Sequence, residues 1–221
     1  MRSFDELYAM AAGHKGGAAA LEALLPTPAG RDALLAEPDD RWLSTLSRCV
    51  FSAGFNWRVV ESKWPAFEEA FHGFDPGRCS MMEDEALEVA MKAGGIPHGA
   101  KAWSIRENAI LFRALAEAHG SAAQAFADWP GSDFAGLLTM LKTRGNRLGG
   151  TTAQYFLRFM GVDGFVLGAD GIAALVREGV VAKAVSSKRD LAATQAAYNT
   201  WHAESGRPYM QISRVLAASI G

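Results

Sequence analysis

Apolar positions recur every three to four residues along most of the chain, separated by Ala, Glu, Lys and Arg, as in amphipathic helices. No long β-branched stretch alternates apolar and polar positions as a strand would. Trp42, Leu43, Leu46 and Val50 share one face of a helix over 39–50, which Asp39 or Asp40 would cap. Asn56 would cap the next helix, and Pro65 would interrupt it near Trp64. Asp75-Pro76 opens a short helical turn with proline at its first position. Further helices are predicted over 83–92, stopping at Gly94-Gly95, and over 100–118, ending at Gly120. Spans 133–142 and 151–160 flank a glycine-rich hairpin. Asp170 would cap a helix that reaches Glu178 and stops at Gly179, and helices over 189–204 and 209–218 follow. The pattern predicts an all-α protein with short connections, 1–221 as a single domain without repeats or low-complexity linkers.

Composition narrows the function classes. With 49% hydrophobic and 21% charged residues, the 221-residue chain reads as an ordinary globular protein able to bury a core. It has no apolar run long enough to span a membrane, and MRSFDELYAM lacks a signal core, so a cytoplasmic location is expected. Cys49 and Cys79 are too few for a disulfide framework, and no His/Cys pair has metal-ligand spacing. Neither a metal nor a cofactor is expected. A net charge of −2 argues against coating nucleic acid by bulk electrostatics. Yet between Phe134 and Val162 there is no acid, while Lys142, Arg144, Arg147 and Arg158 are all basic.

That segment contains RGNRLGGTTAQYFLRFMG, a glycine turn between two helical stretches. Such a turn can present unpaired backbone N–H groups and a helix N-terminus to an anion. Glycines would permit positive φ and let a phosphodiester approach closely, and the basic residues would add sequence-independent attraction. The same pattern also fits a plain αα-hairpin whose glycines only allow a tight turn.

GNRLGGTTA resembles the helix–hairpin–helix element of a DNA glycosylase superfamily, and Asp170, eighteen residues after Thr152, lies close to where that superfamily carries its catalytic aspartate. CVFSAGFNWRVVESKWPAFEEAFHGFDP (49–76) resembles a block of the 3-methyladenine DNA glycosylase I family, as does AGGIPHGAKAWSIRENA (93–109), with Lys101 and Asn108 in matching places. About 42–180 follows the pattern, and 1–41 and 181–221 diverge. The resemblance implies two helical lobes with a cleft between them and a monofunctional glycosylase acting on alkylated purines in double-stranded DNA, working as a monomer. A non-catalytic protein that binds damaged DNA with the same fold is the alternative.

Carried over by resemblance, Trp57 stacks on the extruded base, in a pocket shared with Cys49, Phe51, Phe55 and Asn56. Lys142, Gly145, Arg147, Gly149, Gly150, Thr151 and Lys101 bind the DNA backbone, and Asp170 is catalytic. The sequence departs from the family where its pocket glutamate falls at Cys49 and where its terminal zinc ligands are missing; Asp170 is an addition that restores the superfamily aspartate. No lysine occurs from Gly145 to Asp170, which favours simple hydrolysis over a Schiff-base lyase step.

Overall fold

The computed structural model describes residues 1–96 and 98–221, and all regular structure among them is helical. In chain order the helices are α1 (Phe4–Lys15), α2 (Ala18–Glu22), α3 (Arg31–Ala36), α4 (Asp39–Ser52), α5 (Trp57–Ala70), α6 (Pro76–Ser80) and α7 (Asp84–Gly94). There follow α8 (Gly99–His119), α9 (Ala122–Ala127), α10 (Phe134–Arg144), α11 (Thr152–Met160), α12 (Ala169–Arg177), α13 (Lys188–Ser205) and α14 (Tyr209–Ala218). The chain forms two compact units, one of Met1–Ala29, Pro130–Leu137 and Gly161–Gly221, the other of Gly30–Trp129 and Leu138–Met160.

The first unit joins both ends of the chain. Helix α14 packs on α1, α12 and α13, burying Leu7, Ala11, Ile212, Val215 and Leu216. Phe134, Phe165, Tyr198 and Trp201 run through its core as a chain of ring contacts 4.5–5.7 Å apart. The N-terminus is tied down where the Trp201 indole donates to the Arg2 carbonyl and Arg2 pairs with the buried Glu178.

The second unit is built around α4 and α8. Helix α4 packs on α5, α8, α9 and α11, and α8 on α6, α7 and α9. Trp42, Phe126 and Phe156 form one aromatic cluster, and Trp64, Phe67, Phe71 and Phe74 stack in a second. The second cluster explains why Pro65 fails to interrupt α5. Proline removes one helical hydrogen bond, but burial of Trp64 and Phe67 on either side outweighs that loss.

Several caps come from distant residues. Asp39 does not cap α4, which starts after Pro38; its carboxylate accepts from the amides of Ala122 and Ala123 and so caps α9. Asp163 accepts from the amides of Tyr209 and Met210 at the start of α14. Local caps also occur, as Asn56 and Asp75 accept from the amides of Arg58 and Arg78.

Candidate functional site

Asn56 ends the turn after α4 and makes Trp57 the first residue of α5, which leaves the indole half-exposed at the helix N-terminus. Across from it runs the outward face of α11. The inward face of that helix buries Ala153, Phe156 and Leu157 against α4, so Thr151, Tyr155 and Phe159, spaced four residues apart, point away from the core. Tyr155 and Phe159 remain 43% and 56% exposed, values at odds with a role in packing. The two rings stack 6.0 Å apart, and Phe159 lies 6.2 Å from Trp57. Cys49, Ser52 and Ala53 at the end of α4 form the floor, and Thr151 and Thr152 the rim. The resulting pocket has a volume of about 330 Å³. A planar aromatic ligand fits such walls, since ring faces attract other rings and cations.

The electrostatics are quiet. Burial pushes the Cys49 thiol up to about 12, with Arg48 pulling slightly the other way, so no thiolate forms at neutral pH. The Arg48 guanidinium lies 5.8 Å from the Trp57 ring centre and is paired with Glu61 at 3.1 Å.

The hairpin between α10 and α11 leads directly into this pocket. Asn108, buried on α8, grips it from below: its side-chain amide donates to the Asn146 carbonyl, and its carbonyl accepts from the Asn146 amide at 2.8 Å. Leu148 is the buried anchor of the loop. A Cβ at Gly145 would lie 2.5 Å from Leu148 Cδ1 and 2.7 Å from the Leu141 carbonyl oxygen, so this glycine serves close packing. Of the three hairpin glycines only Gly150 adopts positive φ, and Arg147 holds the other left-handed position at φ 61°. That conformation costs a non-glycine residue about 1–2 kcal/mol, offset here by the buried Leu148 and by the bond from Arg147 Nε to the Ala100 carbonyl. Nothing lies within 4 Å of where a Cβ on Gly149 would be. Among the described residues the amides of Leu148, Gly149, Gly150 and Thr151 form no hydrogen bond, and Lys142 and Arg144 are exposed beside them. Unpaired donors on a segment that also carries cations have the chemistry to hold an anion.

Four sequence expectations are corrected. Phe51 is fully buried against Phe67 and Trp64, so it belongs to the core. Phe55 is outside the pocket lining; its ring covers the Lys101 ammonium at 4.4 Å. Asn56 is likewise outside the pocket lining, while its expected role as the cap of α5 holds. Lys101, expected on the DNA backbone, is 5% exposed, and its Nζ donates to the carbonyls of Phe51 and Ala53 at 2.9 and 2.7 Å. Burial, and secondarily the charge of Arg147, lowers its pKa. The ammonium thus fixes the end of α4 that floors the pocket. Lys101→Met should destabilise the protein by about 2–4 kcal/mol, because two inward carbonyls lose a charged donor. Chemical denaturation would read this, and an unchanged midpoint would remove Lys101 from the framework of the pocket.

Asp170 belongs to the other unit. It is exposed and is the second residue of α12, whose cap is the backbone of Gly168, so the expected capping role is also corrected. Sequence reasoning missed Tyr155 and Phe159. Their signal was two aromatics four residues apart, off the apolar stripe that buries α11.

The all-α fold is similar to that of 8-oxoguanine DNA glycosylase from Methanocaldococcus jannaschii, which superposes with a TM-score of 0.51 at 14% identity, over 83% of this chain and 79% of that one. Residues 36–134 match the family model described as methyladenine glycosylase, a segment that includes Cys49, Trp57, Lys101 and Asn108 and ends before the hairpin. Two structures of 3-methyladenine DNA glycosylase I from Staphylococcus aureus are similar at 23% identity and TM-score 0.50, covering 57% of this chain and 77–78% of theirs. The resemblance read from the sequence is therefore found independently in the family match and in the fold. No curated protein sequence matches the chain. No helix among the described residues is long and apolar enough to cross a membrane.

Proposed function

We propose that the chain is a monofunctional DNA glycosylase that hydrolyses the N-glycosidic bond of alkylated purines of the 3-methyladenine type in double-stranded DNA, as a monomer in the cytoplasm and in the course of base excision repair. The observation that carries this reading is the half-open aromatic pocket of Trp57, Tyr155 and Phe159 directly beside the hairpin with its unpaired amides. In this reading the amides of 148–151, with Lys142 and Arg147, hold the phosphate backbone beside the lesion. The flipped base enters the pocket and stacks on Trp57, which offsets part of the few kcal/mol needed to extrude it. Asp170 supplies the carboxylate that stabilises the oxocarbenium-like sugar or orients the attacking water.

A second reading, a damaged-DNA-binding protein without catalysis, is favoured by the neutral Cys49 in the pocket floor. Incubation with methylated duplex DNA separates the two. A glycosylase liberates free 3-methyladenine and leaves abasic sites that borohydride does not trap on the protein. Binding to that DNA without any base release would identify the second reading as correct.

A further inference from the structure

The Trp57 indole lacks the packing that locks Trp42 and Trp64. Trp42 stacks on Phe126, and Trp64 on Phe67 and Phe74, all of them buried. Trp57 is half-exposed and, among the described residues, its one ring neighbour is Phe159, which is itself exposed. As the first residue of α5 it has no preceding helical turn to lean on. A side chain so placed spreads over several rotamers unless something else fixes it, and a surface that must first be ordered binds more weakly.

The other group on this ring is a cation. The Arg48 guanidinium, from the last turns of α4, lies over the indole 5.8 Å from the ring centre, and its charge reaches the Cys49 thiol. Glu61 accepts from Arg48 Nη1 at 3.1 Å. It stands one turn beyond Trp57 on α5, so indole and carboxylate share a helix face and both meet Arg48. The guanidinium thus bridges α4 and α5 across the ring. Paired with Glu61, it braces the indole without adding net charge beside a cationic base; unpaired, it would repel one. With side chains 31% and 39% accessible, the ion pair contributes little to folding stability, so its effect lies in what it does to the ring.

Building on the glycosylase reading, we propose that Arg48 and Glu61 are positioning residues, which together hold the Trp57 indole in the orientation that receives the flipped base.

The test measures binding of free 3-methyladenine to the full chain by ligand-observed NMR, and single-turnover base release from methylated duplex DNA. Arg48→Met should weaken free-base binding about two- to fivefold, the strength of an exposed cation–ring contact, and Arg48→Lys, which keeps the cation, should recover most of that loss. In a Trp57→Ala background Arg48→Met should change nothing further, since a residue that acts through the indole loses its effect with it. Glu61→Gln should slow release of the cationic base from DNA more than it weakens binding of the free, neutral base. Unchanged binding in Arg48→Met, or an equal loss with and without the indole, would overturn the proposal, while base release by the unaltered protein would still uphold the glycosylase reading. Binding that depends on Arg48 without any base release would uphold the positioning role and overturn the glycosylase reading instead. A free base that fails to bind the unaltered protein would overturn the positioning role together with the pocket it serves.

Discussion

Asp170→Asn is expected to lower the rate of base release roughly 10²–10³-fold, the range seen when one electrostatic contact to a transition state is removed. Affinity for undamaged duplex DNA should stay nearly constant. The substitution preserves shape and removes charge only. Its structural cost is small, because Asp170 is exposed in the first turn of α12 and its carboxylate does not form the cap. An acid at that position interacts with the helix dipole for about 0.3–1 kcal/mol. A large loss of turnover therefore could not be ascribed to unfolding. Single-turnover base release with saturating protein isolates the chemical step, and equal rates for the two proteins would take Asp170 out of the mechanism.

The second large effect is expected at Trp57. Truncation to alanine should reduce discrimination between lesion-bearing and undamaged DNA by about 10–100-fold, matching the ~1–3 kcal/mol of a base–aromatic stack. Trp57 is 45% exposed and meets Phe159 only at the pocket wall, so its loss leaves the buried clusters around Trp42 and Trp64 intact. Competition binding with matched duplexes measures the effect. If affinity for both duplexes fell together, the indole would be a general contact and not the surface that receives the base.

The sequence made the long periodic helices legible, along with the local caps at Asn56 and Asp75, because both signals lie within a few residues of their effect. Distant bonding was illegible. Asp39 caps a helix some eighty residues away, and Lys101 turns inward to carbonyls of α4 instead of outward to phosphate. Pro65 shows tertiary burial overriding a local breaker, and the short helices α3 and α9 carry too few turns for a periodic signal. At the site, the resemblance led to Trp57 and Cys49, which do share a pocket, and also to Phe51 and Phe55, which do not line it. Gly145, Gly149 and Gly150 looked equivalent in the sequence, yet one serves close packing, one has open space and one adopts positive φ. Tyr155 and Phe159 were readable only by asking which aromatics of α11 the core leaves uncovered.

The central claim is that the cavity floored by Cys49 and walled by Trp57, Tyr155 and Phe159 receives the damaged base. A crystal structure of the protein with free 3-methyladenine tests it most directly. The account predicts the purine at van der Waals distance, about 3.5–4 Å, from the Trp57 indole, between that ring and the Tyr155 and Phe159 wall. A base bound elsewhere, or a pocket closed by collapse of Phe159 onto Trp57 while the base occupies another site, would contradict it.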